Sequence, residues 1–270
     1  GQASLHETDL LIKAAQDLTL KRMYLPPQIF GRYEDNDRID RMSLAKALMI
    51  QERRRWIVLP HLWAGYNPHS PYFQMCDPSG FVLEFQVCGD KGILKTKAYG
   101  LSNLRQSKPD STADLRNIEF FIEQDTARII WPDGTECIYR KQSYGRYRLE
   151  VELLPNGKAF HYEYNDQQLS RIISTDKNGK HTYASITQVS EHAYVGSDGR
   201  EVKCNYEAFT FEAKAKIKKS KQEISLQIPM LTQVSNPTYP NSMQYNERSL
   251  LSHYDAKEYP VSFEYFKQKG

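Results

Sequence analysis

The chain has 270 residues, 40% of them hydrophobic, which is enough for one large domain or two ordinary ones with a buried core. Its formal net charge of +3 is small for this length and gives no reason to expect a nucleic acid or an anionic membrane as partner. No apolar run of about 18 residues occurs, so no transmembrane helix is predicted. The 18 tyrosines and 11 phenylalanines favour strands over helices.

The first 72 residues contain one predicted helix. Ser43–Gln51 combines a suitable N-cap with good helix formers whose apolar residues share one face. No charged-then-apolar segment of signal-peptide type precedes it, and a chain beginning at Gly1 is expected to be a piece of a longer one.

Two clusters in this region suggest ligands. Asp35, Asp37 and Asp40 resemble half of a calcium loop but lack its glycine and closing glutamate, so a solvated loop is predicted. An aromatic cluster could stack on sugar rings, although such residues belong more often to a core. Its members are Trp56, His61, Trp63, Tyr66 and His69.

The cysteines and histidines have no metal-site spacing. The cysteines are predicted to be small buried residues, with a disulfide between Cys76 and Cys88 left open. His161, His181 and His192 are predicted to lie on strand surfaces rather than around a metal. The four cysteines are Cys76, Cys88, Cys137 and Cys204.

A turn motif recurs four times in the middle of the chain. An Asn-Gly or Asp-Gly pair is followed each time by a strand-like run with a tyrosine, and an irregular break often divides the unit into two strands. Such pairs favour two-residue hairpins with positive φ at both central residues. The turn glycines are Gly134, Gly157, Gly179 and Gly199, and the tyrosines are Tyr139, Tyr162, Tyr183 and Tyr206.

The second unit has the clearest pattern. Between Lys158 and Tyr164 polar and aromatic residues alternate, which places Phe160, Tyr162 and Tyr164 on one strand face. Four such turns at nearly constant spacing favour a true repeat over residues 131–206 rather than a chance meander.

The strands after the repeats are less regular. Alternation from Ala208 to Lys221 predicts an edge strand with one lysine-rich face, which discourages wrong pairing, and a phosphate-binding patch is the alternative. Alternation at Tyr259–Phe266 predicts a further strand with no cap beyond it. We therefore expect the isolated chain to oligomerise or aggregate.

These motifs resemble the RHS, or YD-repeat, protein family. Residues 156–176 carry its Asn-Gly turn, its Tyr-x-Tyr followed by Asn165, and its leucine with a hydrophobic residue three positions later. The entry segment of such proteins is similar to Thr8-Asp9-Leu10 followed by Leu20-Lys21-Arg22-Met23-Tyr24. Another repeat-like turn, with tyrosine and leucine after it, spans residues 231–251.

Asp77-Pro78-Ser79-Gly80 allows two interpretations. It looks like another repeat turn, and it also resembles the Asp-Pro-x-Gly element of self-cleaving RHS cores. Aspartyl chemistry needs two carboxylates that share a proton, and the sequence identifies no second one, so a plain turn is favoured.

The resulting expectation is an all-β protein: antiparallel hairpin repeats forming a curved continuous sheet, with one short helix near the N-terminus. No catalytic, cofactor-binding or metal-binding residue is predicted, and the chain is not expected to be an enzyme. The predicted segments are an entry segment (1–72), degenerate repeats with a connecting segment (73–130), YD-like repeats (131–206) and further degenerate strands (207–270).

The resemblance implies a structural scaffold, part of a shell that encloses or presents a C-terminal toxin or effector on a secreted or surface bacterial protein. Its partners would be the rest of the shell and the enclosed cargo, with no nucleic acid and no membrane span. The alternative is a glycan- or receptor-binding module that uses exposed aromatic residues, and an enzyme with a site on its loops is a third class.

Overall fold

The computed structural model describes residues 5–24, 56–59, 64–66, 72–76, 81–100, 118–142, 146–165, 168–217, 220–237, 240–245, 251–255 and 260–262. Every regular element within these ranges is a β-strand, which confirms the all-β class. The predicted helix at Ser43–Gln51 lies outside them, as do residues 35–40 and 77–80.

Three strands form a small antiparallel sheet, which we call the N-terminal sheet. They are β1 (Leu5–Ile12), β2 (Leu18–Tyr24) and β3 (Trp56–Leu59), in that order. Alternate residues of β2 from Leu18 to Tyr24 are buried, as expected where successive side chains point to opposite faces. One face of this sheet is therefore buried against the rest of the molecule.

The remaining strands form a second sheet in which every recorded pairing is antiparallel. Its first eight strands are β4 (Ala64–Tyr66), β5 (Tyr72–Cys76), β6 (Phe81–Cys88), β7 (Lys91–Gly100), β8 (Glu119–Ile122), β9 (Thr126–Ile130), β10 (Glu136–Lys141) and β11 (Arg146–Leu153). Then follow β12 (Lys158–Asn165), β13 (Gln168–Asp176), β14 (Thr182–Ser190), β15 (Ala193–Gly196), β16 (Glu201–Ile217), β17 (Ser220–Ser235), β18 (Asn241–Tyr245), β19 (Leu251–Asp255) and β20 (Val261–Ser262).

Strand β11 closes the first eight strands into a ring. It pairs with β10 along its length, and the start of its other edge pairs with β4, through Arg146 opposite Gly65 and Tyr147 opposite Ala64. The far end of that edge, from Val151 to Leu153, pairs with β12. The sheet thus branches at β11 into the ring (β4–β11) and the C-terminal strands (β12–β20).

Each part has its own hydrophobic core. The ring encloses a cluster of aromatic and aliphatic side chains, with Phe73 and Phe85 both packed on Phe120. The second cluster lies between the N-terminal sheet and strands β13–β19. Tyr162 on β12 packs against both clusters and joins them.

The four turn glycines all have positive φ, from 69° at Gly179 to 84° at Gly134. The strands between them confirm the predicted arrangement of two strands per unit. The predicted two-residue hairpins are wrong, however. Leu154 N–H donates to Lys158 O, and Gly157 N–H donates to Leu154 O, so three residues form that loop.

The three-residue loop is a β-turn followed by one left-handed residue, which glycine supplies at the least steric cost. The same two bonds occur around Gly134 and Gly199. The unit at Gly179 has a four-residue loop, closed by Asp176 N–H donating to His181 O. The Asn-Gly signal located the turns but placed glycine one position too early within them.

An acidic or amide side chain also closes each loop. Asp133, Asn156 and Asp198 each accept a bond from the backbone N–H two residues on, at 2.9–3.2 Å. In the four-residue loop Asp176 takes this role and accepts from His181 N–H at 2.9 Å. This bond explains why Asp or Asn precedes the turn glycine.

The predicted edge strand at Ala208–Lys221 is two strands. Strand β16 ends at Ile217, the chain reverses, and β17 begins at Ser220 and pairs back along β16 as far as Lys203. An alternating run carries no signal for a reversal inside it, so the sequence pattern merged the two strands.

Candidate functional site: the interface of the N-terminal sheet

The buried face of the N-terminal sheet packs on the C-terminal strands. Leu10 and Ile12 from β1 and Leu20 from β2 lie in one core with Ile186 and Val202. The pairing of β1 with β2 shifts register between Thr8 and Leu10, which leaves Asp9 as a bulge. A bulge re-aims a side chain, and here Asp9 and Leu10 are both buried although they are adjacent.

Asp9 and Arg22 form an ion pair inside this interface. Arg22 Nε donates to Asp9 Oδ2, and Arg22 Nη2 donates to Asp9 Oδ1 at 2.7 Å. Both side chains are only 1% exposed. Burial opposes the charge on Arg22, but the attraction and hydrogen bonds of Asp9 outweigh it and raise the arginine pKa. The charges are thus held by each other rather than by water.

The two residues come from the two entry-segment motifs that the sequence singled out. The motifs predicted neighbouring strands but not that their charged residues would be partners. The signal was present: Arg22 stands where the alternation of Leu18, Leu20 and Tyr24 requires an inward residue, and an inward charge needs a partner.

A cluster of aromatic rings packs beside the ion pair. Arg22 Cζ lies 4.8 Å from the ring centroid of Trp56, which also contacts Tyr24 and Tyr254 at centroid distances of 5.5 and 5.8 Å. Trp56 Nε1 donates to the Tyr245 hydroxyl at 3.2 Å. The interpretation of the aromatic cluster as core is confirmed for Trp56, which is 6% exposed.

For the other members of that cluster, neither the core nor the sugar-stacking interpretation is tested. His61, Trp63 and His69 lie outside the described residues, and of Tyr66 only its place in β4 is described.

Glu7 lies at the rim of the same interface. Burial raises its pKa, and the neighbouring Tyr254 side chain and the charge of Arg22 oppose that rise. Burial likewise raises the pKa of Tyr254. These two groups therefore favour their uncharged forms more than they would in water.

The loop between β1 and β2 is fastened to the repeat turns. Asn156 Nδ2 donates to Gln16 Oε1 at 2.9 Å, and the ammonium of Lys158 donates to Ala15 O. Arg200 of the last repeat turn donates to Leu11 O at 2.5 Å. Two turns of the repeat thus hold the N-terminal sheet by its main chain.

Strand β15 approaches the N-terminal sheet very closely at Gly196. A Cβ added there would lie 2.7 Å from Ile12 Cδ1 and 2.8 Å from Asp198 Oδ1. Only glycine leaves room for the side chains of β1 at this point.

Tyrosine hydroxyls tie strands together elsewhere in the molecule. Tyr164 donates to Leu149 O at 2.9 Å, and Tyr194 donates to Leu169 O at 3.3 Å. Tyr162 donates to Glu152 Oε2 at 2.9 Å, and burial raises the pKa of that carboxyl. These tyrosines bond within the structure rather than serving an external ligand.

The four repeat tyrosines differ in burial. Tyr139 is buried, Tyr162 and Tyr206 are partly buried, and Tyr183 is exposed.

The two cysteines whose side chains the structure describes are poorly suited to act as nucleophiles. Cys137 and Cys204 are buried free thiols, as predicted, and burial raises their pKa to about 12 and about 11. In the pairing of β5 with β6, Cys76 stands opposite Val82. Val82 is six residues before Cys88 on the same strand. At about 3.3 Å per residue this separation is too large for the Cys76–Cys88 disulfide.

The histidines of the repeats lie apart from one another, on strands or turns. His161 is half-buried and bonds Thr175 Oγ1 at 3.0 Å, whereas His181 and His192 are exposed. Within the described ranges no three His, Cys, Asp or Glu side chains form a metal site. Nor does that part of the chain hold a helix long and apolar enough to cross a membrane.

The interface of the N-terminal sheet therefore joins strands that are distant in sequence through aromatic contacts and main-chain bonds, around a buried ion pair between β1 and β2. This arrangement can anchor one part of the chain on another, and its described groups assemble no nucleophile with a base. No family model and no curated protein matches the chain.

Proposed function

We propose that the chain is a structural repeat scaffold, part of a shell of RHS/YD type. Such a shell encloses or presents a C-terminal toxin or effector on a secreted or surface-associated bacterial protein. The partners in this proposal are the rest of the shell and its cargo.

The observation that carries the proposal is the repeat itself. Strands β9 to β16 form one antiparallel series in which four glycine turns join alternate pairs, and each turn is closed by its own Asp or Asn side chain. Repeated units that share one sheet bury a core that no single unit could bury and act through shape. Here the two clusters meet at Tyr162. The N-terminal sheet, docked on the same series, supports an entry segment that begins the wall.

The alternative of a glycan-binding module has weaker support. It needs exposed aromatic side chains, and Trp56 is inside the core. Among the aromatic side chains that the structure describes, Tyr183 is exposed, with the Lys158 ammonium 5.9 Å from its ring centroid, and a single ring does not make a stacking platform. We therefore keep glycan binding as the alternative result that the experiment below can detect.

The test uses the natural gene with the coding sequence that follows residue 270. The full-length protein is purified and treated with a protease. We expect further repeats, and beyond them a C-terminal segment that stays protected and co-purifies with the shell.

The matched control is the same C-terminal segment expressed alone, which we expect to be digested rapidly. Equal digestion in both forms would contradict the shell. Binding to a glycan array that is lost in Trp63→Ala, with folding intact, would establish the alternative instead.

A further inference from the structure

Asn156 and Asn178 each begin the same three-residue sequence, Asn-Gly-Lys. Each belongs to an exposed repeat turn. We propose that Asn178 is a site of spontaneous conversion to isoaspartate, and that the docked N-terminal sheet protects Asn156 from the same reaction.

The reaction needs only the chain and water. The backbone nitrogen of the following glycine loses its proton to hydroxide and attacks Asn Cγ. A bond from nitrogen to Cγ forms, the bond from Cγ to Nδ2 breaks, and ammonia leaves, which gives a succinimide. Water then opens this ring at either carbonyl and yields aspartate or isoaspartate. Glycine favours the attack because it has no side chain to obstruct the ring.

The side chain of Asn156 is held at both ends. Its Oδ1 accepts a bond from Lys158 N–H at 3.2 Å, and its Nδ2 donates to Gln16 Oε1 at 2.9 Å. The attack requires Cγ to rotate towards the Gly157 nitrogen, which breaks these bonds. Since Gln16 belongs to the loop after β1, docking of the N-terminal sheet provides part of this restraint.

The side chain of Asn178 is not held in this way. In its four-residue loop the closing bond is made by Asp176, whose Oδ1 accepts from His181 N–H at 2.9 Å. Asn178 is exposed and makes no side-chain hydrogen bond to any residue that the structure describes.

The glycine nitrogens are equivalent in the two turns. Gly157 N–H donates to Leu154 O at 3.1 Å, and Gly179 N–H donates to Asp176 O at 3.0 Å. The difference between the sites therefore lies in the asparagine side chains.

Two additional bonds at Asn156 lead us to expect a rate at Asn178 that is about 5- to 30-fold higher in the folded protein. Conversion replaces a neutral amide by a carboxylate and lowers the formal net charge from +3 by one. The isoaspartate form also adds a methylene to the main chain between β13 and β14.

The experiment incubates the folded chain at mildly alkaline pH and samples it over time. A glutamate-specific protease is the suitable reagent, because it yields residues 153–163 and 164–191 as separate peptides with one asparagine–glycine pair each. Mass spectrometry follows the one-dalton gain in each peptide, and an isoaspartate methyltransferase identifies the isomer.

Two comparisons make the result decisive. In urea both sites should react at similar rates, because their following residues are identical. In Gln16→Ala, a change in the loop between β1 and β2, the rate at Asn156 should rise about two- to tenfold, as expected for one lost hydrogen bond, with Asn178 unchanged. Equal rates in the folded chain, or no reaction at Asn178 under conditions where urea allows it, would overturn the proposal.

Discussion

Arg22 provides the buried positive charge of the N-terminal sheet. It bonds Asp9 through two nitrogens, lies over the Trp56 ring and is almost wholly buried. Removing one partner of such a pair leaves the other as an uncompensated buried charge, which costs far more than the intact pair contributes.

Arg22→Ala should therefore destabilise the protein by about 3–5 kcal/mol, measured as the free energy of unfolding in urea. Lys13→Ala is the control, because Lys13 pairs with Asp17 on the surface and its loss should leave the unfolding midpoint nearly unchanged. Replacing both buried charges, as in Asp9→Leu with Arg22→Met, should restore most of the stability. A double variant as unstable as Arg22→Ala would contradict this account.

Glu7 should make stability depend on pH in the direction opposite to most carboxylates. Its folded-state pKa is raised above 4.5 by burial, so folding favours the protonated form. This contribution is fully present below 4.5 and is lost as pH rises through the raised folded-state pKa.

Glu7→Gln keeps the size of the side chain but cannot ionise. We expect unfolding in urea to show the variant more stable than the natural chain at neutral pH, with the difference disappearing at acid pH. A difference that grows on acidification would show that the sign is wrong.

At the scale of the element, substitutions at a turn glycine measure the cost of backbone strain without the cost of steric crowding. At Gly157 φ is 77° and an added Cβ would meet no atom within 4 Å. Gly157→Val should cost about 1–2 kcal/mol or more through backbone strain alone. Gly157→Asn should cost less, because Asn tolerates this conformation. Urea unfolding of both variants tests the order, and equal losses would count against it.

The turns also show how far local sequence determines an element. Asn-Gly and Asp-Gly pairs predicted where the chain reverses, because the need for a left-handed residue is local. They did not distinguish a two-residue loop from a three-residue loop, since that choice depends on which strand residues pair. The partnership of Asp9 and Arg22 was missed for a related reason: it requires a bulge that alternation does not reveal.

At the scale of the molecule, two cores are joined at Tyr162 and at the branching strand β11. Ring closure through β4 was not predicted, because it rests on two residue pairs that are some eighty positions apart. Such non-local contacts leave no periodic trace in the sequence.

Because the two cores are separate, we expect the strands around each core to unfold locally without the other. In Arg22→Ala we expect amide hydrogen exchange to accelerate in β1, β2 and β14–β16, which share a core with Arg22, while β8–β10 in the ring keep their protection. Mass-spectrometric exchange on folded protein measures both regions at once. Equal acceleration in both would show that the molecule opens as one cooperative unit.

The bond from Leu251 N–H to the Tyr24 hydroxyl spans 227 positions of the chain. During translation, β1 and β2 leave the ribosome long before the strands that cover them. At about 5–20 residues per second, the interval is about 10 to 45 s. Until β13–β16 are synthesised, Leu10, Leu18 and Leu20 have no native surface to pack on, and their cover is complete only when β19 follows. The β1–β2 hairpin of the nascent chain is thus a natural binding site for ribosome-associated chaperones. Synonymous codons that slow elongation after β2 would lengthen the time for which its apolar face is exposed.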